Sequence, residues 1–256
     1  MVLVFDVSNT HIVMGLYKDK ELLYHWTIST DLDKTADEYA VLMHNLFLLK
    51  GTGFSEVSAL VISSVVPPLM PVFQDLGRKY FKVNPLIVGP GIKTGASILY
   101  DNPREVGADR IVNAVAAFEH YGGPLIIVDF GTATAFCVIS PRGEYLGGAL
   151  APGVEIATEA LFQRAAKLPR IELAKPKAVI ARNTIEAMQS GILYGFAGLV
   201  DGVVNRLKQE IGQPVKVIAT GHMVELIAEH TETIDVVDPL LTMEGLRIIY
   251  ERNRQN

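Results

Sequence analysis

Hydrophobic and polar positions alternate in short blocks through the first part of the chain. Residues 2–5 are apolar and run into Asp6. A second apolar block, 12–17, follows the polar turn Ser8-Asn9-Thr10, and a third, 22–28, follows Lys18-Asp19-Lys20. Short apolar blocks joined by tight polar turns predict an antiparallel series of strands. Over 33–49 the period changes. Ala36, Tyr39, Ala40, Met43, Leu46 and Phe47 fall at helical spacing, and Gly51 and Gly53 stop the helix. A strand over 59–65 is broken by Val66-Pro67-Pro68. A helix over 69–80 follows, with Pro71 in its first turn, and then a strand over 86–88. Residues 89–103 open with Gly89, Pro90, Gly91 and Gly95 and read as a loop. Pro103 precedes a helix predicted over 104–120, where a first-turn proline belongs.

The same order then returns. An apolar strand over 125–128 ends at Asp129, Phe130-Gly131-Thr132 turns the chain, and strands follow over 133–139 and 144–149 around Ser140-Pro141-Arg142-Gly143. Strand, acidic turn, strand, turn, strand occurs twice, which marks an internal duplication. The boundary falls at Tyr121-Gly122-Gly123-Pro124, dividing a domain of residues 1–120 from one of 121–256. The second half continues with helices over 153–165, 183–211, 224–229 and 240–251 and strands over 215–219 and 234–237. Residues 168–176 are irregular, with room for a short strand. Strands followed by helices in both halves predict two α/β domains with a cleft between them.

Composition narrows the class. Of 256 residues, 49% are hydrophobic and 20% charged, which excludes a disordered chain. The net charge of -5 does not favour a binder of nucleic-acid backbone. Cys137, the single cysteine, forms no intrachain disulfide and no cysteine-rich metal site; between Phe136 and Val138 it reads as a small buried hydrophobe. Residues 1–5 have no basic segment before them and are interrupted by Asp6 and Asn9, so they do not read as a secretory signal. No stretch approaches 18 uninterrupted apolar residues, so no membrane span is expected.

Several residues carry candidate chemistry. Asp6, at a strand end beside Ser8, Asn9 and Thr10, suits magnesium and phosphate together, or else caps a turn. Asp129-Phe130-Gly131-Thr132-Ala133-Thr134 repeats the arrangement, and two such turns facing across a cleft would grip a polyphosphate. The chain contains neither a P-loop sequence nor a dinucleotide glycine fingerprint. Tyr100, Gly107, Asp109 and Arg110 lie in the densest polar cluster. There Asp109 is a candidate proton acceptor and Arg110 a carboxylate fork; the alternative is a local ion pair at a helix start. Gly221, after a strand, lets a base or ribose approach the backbone, while His222 is either a base contact or structural. The histidines show no metal-ligand spacing. Gly191, Gly195, Gly198 and Gly202 form a stripe along the 183–211 helix. Each glycine costs about 1 kcal/mol of helix propensity, so the stripe implies close approach of another helix, from a partner subunit or from the same chain.

Taken in order, Asp6-Val7-Ser8-Asn9-Thr10, Gly107-Ala108-Asp109-Arg110, Asp129-Phe130-Gly131-Thr132-Ala133-Thr134, Gly147-Gly148, Pro152-Gly153, Arg182-Asn183-Thr184 and Ala219-Thr220-Gly221 resemble the type III pantothenate kinase family over essentially the whole chain. The resemblance implies two actin-like, ribonuclease H-like α/β domains of the sugar kinase–Hsp70–actin superfamily, related by duplication. It implies a cytoplasmic phosphotransferase with an alcohol group as acceptor. Such an enzyme moves the ATP γ-phosphoryl to the primary hydroxyl of pantothenate, giving 4′-phosphopantothenate at the first step of coenzyme A biosynthesis. Magnesium and a monovalent cation, potassium or ammonium, are implied as well, with a homodimer whose active site is shared between subunits. Neither nucleic acid nor membrane is an implied partner.

By the same resemblance Asp109 is the general base, and Tyr100, Gly107, Asp109 and Arg110 contact pantothenate. Thr184 reaches the partner subunit's pantothenate. Asp6, Asn9 and Thr10 form the first phosphate turn, Asp6 with the metal. Asp129, Gly131 and Thr132 form the second, Asp129 beside the monovalent cation, and Gly221 lies on the nucleotide. Two positions depart from the family pattern, Ser8 and His222, each standing where a glycine is usual. Competing readings are a related kinase with another acceptor, a chaperone-like ATPase, and a non-catalytic regulatory protein that keeps the fold.

Overall fold

In the computed structural model, which describes residues 1–254, the first apolar block extends to Val7 as β1 (Val2–Val7). The chain continues through β2 (His11–Lys18), β3 (Glu21–Ser29), α1 (Ala36–Leu48), β4 (Ala59–Ser64), α2 (Met70–Leu76), β5 (Leu86–Ile87) and α3 (Ala108–Tyr121). The second half holds β6 (Leu125–Phe130), β7 (Ala133–Ile139), β8 (Tyr145–Pro152), α4 (Val154–Arg164), α5 (Thr184–Ile211), β9 (Lys216–Gly221), α6 (Val224–Ala228), β10 (Val236–Val237) and α7 (Leu241–Arg254). The chain forms two compact units. One gathers Met1–Gly95, Asn102–Ala116 and the C-terminal residues from Thr242; the other gathers Ala96–Asp101 and Ala117–Leu241.

The first unit is built on a sheet of order β3-β2-β1-β4-β5. β1 runs antiparallel to β2 and parallel to β4. Alternation along β1 sends Leu3, Phe5 and Val7 into a core with Tyr39, Met43 and Phe47 of α1 and Phe73 of α2. α1 starts at a capping box: Thr35 Oγ1 accepts from Glu38 N at 3.3 Å and Glu38 Oε2 accepts from Thr35 N at 2.8 Å. The helix expected over 69–80 is α-helical only through Leu76. It widens into a π turn, Gly77–Phe81, closed by Lys82 at φ +61°. Gly77 is the reason: a Cβ there would lie 2.6 Å from the Pro85 ring, so the chain is pressed close as it turns toward β5. α7 also belongs to this unit. Tyr17 Oη donates to Glu244 Oε1 at 2.9 Å, and the buried Arg247 bonds Glu244 at 2.9 Å and Glu251 at 2.8 Å.

The second unit repeats the topology with order β10-β9-β6-β7-β8, so β6 occupies the place of β1 and β9 that of β4. This matching strand order is the internal duplication that the sequence pattern implied. The α5 helix covers one face. Asn183 caps it by accepting from Glu186 N at 2.9 Å, and Gly212 ends it at φ +68°. Met188, Ile192, Phe196, Val200 and Val204 form its buried stripe. By length and composition α5 could cross a membrane, but that apolar stripe is occupied by the core of its own unit. The irregular segment 168–176 forms no strand.

Candidate active site

In the first unit the C-terminal end of β1 carries Asp6. It lies inside the strand, paired with Val13 of β2 and Ser63 of β4, not beyond it as the sequence pattern implied. Asp6 is half-buried on the face opposite Leu3, Phe5 and Val7. The turn behind it is tied down by short bonds: Ser8 N donates to His11 O at 3.0 Å, and Thr30 Oγ1 donates to Ser8 O at 2.6 Å. Asn9 and Thr10 are exposed at the tip. Ser8 has no positive φ, and its Oγ donates to Asp6 Oδ2 at 3.2 Å. Serine in place of glycine therefore adds a hydroxyl on the carboxylate without backbone strain.

The start of α3 lies at the same edge of that sheet. Val65, the residue after β4, donates from N to Val7 O at 3.1 Å, and its Cγ1 is 3.6 Å from where a Cβ on Gly107 would be. The helix expected from 104 begins instead at Ala108. Pro103–Glu105 is a separate 3-10 turn capped by Asn102, whose Oδ1 accepts from Arg104 N at 3.3 Å. Asp109 is thus in the first turn of α3. Its Oδ1 accepts from Arg110 N at 2.8 Å, and a Cβ at Gly107 would collide with that oxygen. Burial pushes the Asp109 carboxyl above the ordinary carboxylate range; the Arg110 N–H and guanidinium charge pull against it without cancelling it. Arg110 Nη2 donates to Glu105 O at 3.0 Å, which fixes the guanidinium over the 3-10 turn.

In the second unit Asp129 sits one residue before the end of β6, paired with Ala135 and Thr220. Gly131 N donates to Ala133 O at 3.2 Å and Gly153 N to Thr132 O at 3.1 Å, so the Gly131-Thr132 turn is held against the start of α4. Gly221 has φ +99°, and a Cβ there would lie 2.6 Å from Asp129 Oδ1. The glycine lets the carboxylate lean over the β9 end. His222 is exposed, with Nε2 3.8 Å from Glu155 Oε1 in the first turn of α4. Tyr100 is half-buried. Its ring meets Tyr145 edge-on at 6.3 Å between centroids and lies 3.6 Å from a Cβ built on Gly147. Leu99 N donates to Tyr145 O at 2.8 Å, anchoring this segment on β8. Thr184 is exposed at the first position of α5.

Asp6, Asn9, Thr10, Gly107, Asp109 and Arg110 therefore belong to one unit, and Tyr100, Asp129, Gly131, Thr132, Thr184 and Gly221 to the other. Two hydroxyl residues had no role assigned from the sequence: Ser63, which was not singled out, and Thr220, which entered only as part of the Ala219-Thr220-Gly221 motif. Ser63 is fully buried and Thr220 is 1% exposed, and neither hydroxyl has a hydrogen-bond partner among the described residues. Leaving a buried hydroxyl unsatisfied costs about 1–3 kcal/mol. The one sequence signal is a polar residue closing an apolar strand, Leu60-Val61-Ile62-Ser63 and Val217-Ile218-Ala219-Thr220.

Comparison with known proteins agrees with these motifs. A family model described as type III pantothenate kinase matches residues 2–206. A type III pantothenate kinase of Geotalea uraniireducens (strain Rf4) is 58% identical over 255 residues, covering 100% of both chains. Among solved structures, a Baf family protein from Campylobacter jejuni superposes with a TM-score of 0.61 at 18% identity, over 99% of this chain and 100% of that one. An inorganic polyphosphate/ATP-glucomannokinase from Arthrobacter sp. strain KM gives a TM-score of 0.50 at 11% identity, over 100% and 99%. These structural likenesses show a shared fold of two mixed sheets flanked by helices.

Proposed function

This chain belongs to the type III pantothenate kinase family and phosphorylates pantothenate with ATP in coenzyme A biosynthesis, and on that premise we propose which of its residues carry the transfer. Asp109 is the general base. It takes the proton of the pantothenate primary hydroxyl as that oxygen bonds the γ-phosphorus and the bond to the ADP oxygen breaks, giving 4′-phosphopantothenate. The observation that carries this reading is the Asp109 carboxyl itself: desolvated and pushed up in pKa, in the first turn of α3. A base whose pKa lies closer to neutrality accepts a proton more readily. With Oδ1 held by Arg110 N, Oδ2 takes the proton. Arg110 pairs with the pantothenate carboxylate, and Tyr100 and Gly107 shape its pocket.

Asn9 and Thr10 donate to nucleotide phosphates from the first turn, and Gly131 and Thr132 from the second; Gly221 leaves room for the nucleoside. Among the described residues no three His, Cys, Asp or Glu side chains converge as a metal-binding group. Magnesium at Asp6 and potassium or ammonium at Asp129 would supply positive charge against the phosphate oxygens. The protein acts as a cytoplasmic homodimer in which Thr184 reaches the partner's pantothenate. In support, Cβ atoms built on Gly191, Gly195 and Gly198 meet no described residue outside the adjoining turns of α5 within 4 Å, while one on Gly202 meets only Arg206 Nη1 at 3.4 Å. The test is an acceptor screen. Purified protein with ATP, magnesium and potassium is offered pantothenate beside sugars and other vitamins, and products are identified by mass spectrometry. Phosphorylation of another acceptor with pantothenate untouched would sink the reading.

A further inference from the structure

Ser63 and Thr220 occupy equivalent places in the two sheets. Each lies on the strand running parallel to the first strand of its sheet, β4 beside β1 and β9 beside β6. Register pairs Ser63 with Asp6 and Thr220 with Asp129. Paired residues on neighbouring strands, about 4.8 Å apart, project from the same face. Both strand-end carboxylates therefore have a buried hydroxyl as lateral neighbour. Other buried hydroxyls of the protein are bonded: Thr134 Oγ1 donates to Pro152 O at 3.1 Å, Thr158 Oγ1 to Val154 O at 2.7 Å and Ser190 Oγ to Val179 O at 2.8 Å. Ser63 and Thr220 bond to nothing among the described residues. Within otherwise apolar strands, alanine or valine would fill those positions with no polar atom to satisfy. An unsatisfied hydroxyl at both equivalent positions points to a bound group that satisfies it.

We propose that Ser63 and Thr220 are positioning residues for the cations of the reaction. Each hydroxyl holds a water of the hydration shell of a cation at the neighbouring carboxylate, a divalent ion at Asp6 and a monovalent ion at Asp129. The inference rests on the kinase reading above. A hydroxyl is suited to this place because it can accept from one cation-bound water and donate its own proton to another solvent or phosphate oxygen. Magnesium keeps several waters when one or two carboxylates bind it, and those waters need acceptors. Ser8 Oγ already donates to Asp6 Oδ2 from the turn, and Ser63 is the register neighbour of Asp6 on β4.

The test uses the full chain with a non-hydrolysable ATP analogue. Mn2+ is the divalent probe, read by electron paramagnetic resonance; potassium is read by its shift of the thermal midpoint. Ser63→Ala is expected to weaken Mn2+ binding by about 10- to 100-fold, the usual effect of losing an outer-shell partner. Thr220→Val is expected to raise the potassium concentration for half-maximal shift by about 10-fold, while Thr220→Ser keeps the parent response. Without ligands, Ser63→Ala and Thr220→Val should melt no lower than the parent, since each removes an unsatisfied group. Unchanged Mn2+ affinity in Ser63→Ala, or an unchanged potassium response in Thr220→Val, overturns the proposal. A lower unliganded midpoint in both variants also overturns it, because the hydroxyls would then be used by the fold. A parent that binds no Mn2+ with the analogue overturns it as well. A parent that binds Mn2+ and nucleotide but leaves pantothenate untouched contradicts the kinase reading instead.

Discussion

Gly221→Ala strikes the contact between the β9 end and Asp129. Gly221 has φ +99°, a conformation that costs a non-glycine residue about 1–3 kcal/mol. The new Cβ would stand 2.6 Å from Asp129 Oδ1 and 2.7 Å from both N and O of Phe130. Ordinary contact begins at 3.4 Å, and two of the three atoms are backbone of the central strand β6, which cannot swing aside. Overpacking of that kind adds about 1–3 kcal/mol. The total is about 2–6 kcal/mol. At about 2–4 °C per kcal/mol for a chain of this length, the thermal midpoint should fall by at least about 4 °C. Gly131→Ala is the matched comparison. Gly131 has no positive φ, and its Cβ would meet Ala133 O at 3.7 Å and Asp129 Oδ1 at 3.8 Å, so the fold should absorb it within about 0.5 kcal/mol. Its effect should fall on nucleotide affinity instead, because the proposed phosphate path runs over that turn. Differential scanning calorimetry on both variants, with nucleotide titrations by isothermal calorimetry, separates the two. A Gly221→Ala protein that melts with the parent, or a Gly131→Ala protein equally destabilised, would refute the reasoning.

Asp109→Asn should stabilise the fold while disabling the enzyme. The folded carboxyl is raised above its unfolded pKa, so the folded state holds the extra proton and stability falls as pH rises from the unfolded value through the folded one. The midpoint advantage of the asparagine variant should therefore grow across that window and then level off; an advantage independent of pH between 3 and about 8 would contradict the assignment. Gly195→Leu should leave each subunit folded, since no described residue outside the adjoining turns of α5 lies within 4 Å of the new Cβ, yet light scattering should show weakened dimerisation. A dimer as tight as the parent's would remove α5 from the seam. Thr184→Ala, at the exposed start of α5, should raise the pantothenate KM about 10-fold with the dimer intact, the effect of one lost hydrogen bond; an unchanged KM would show that Thr184 does not reach substrate.

The strands and turns of the two sheets were legible because their signals are local. Apolar blocks between Ser8-Asn9-Thr10, Lys18-Asp19-Lys20 and Ser140-Pro141-Arg142-Gly143 mark the hairpins without reference to the rest of the chain. Asp6 and Asp129 looked like turn residues because each ends an apolar run. They stay in their strands because β4 and β9 continue the ladder past them, and those neighbours are distant in sequence. For the same reason Ser63 drew no notice and Thr220 counted only as part of a glycine motif: register alone sets them beside the carboxylates. α2 gave way to a π turn through the pressure of Pro85 on Gly77, a contact that helical spacing does not encode. α7 carries an ordinary amphipathic pattern, and its membership of the first unit rests on Glu244 and Asn253, whose partners Tyr17 and Lys93 lie far upstream. Asp109 and Arg110 were visible as a polar pair at a helix start. The desolvation that distinguishes Asp109 from a surface charge came only with the packed structure.

The central claim is that this carboxylate takes the proton of pantothenate, and one rate ratio tests it most directly. Parent and Asp109→Asn proteins, each verified as folded by circular dichroism, are given ATP, magnesium, potassium and pantothenate, and 4′-phosphopantothenate is quantified by mass spectrometry over time. The parent should form product, and the variant should be slower by at least about 10²-fold, equivalent to about 2.7 kcal/mol of transition-state stabilisation. A folded Asp109→Asn protein turning over within a few-fold of the parent would contradict the account.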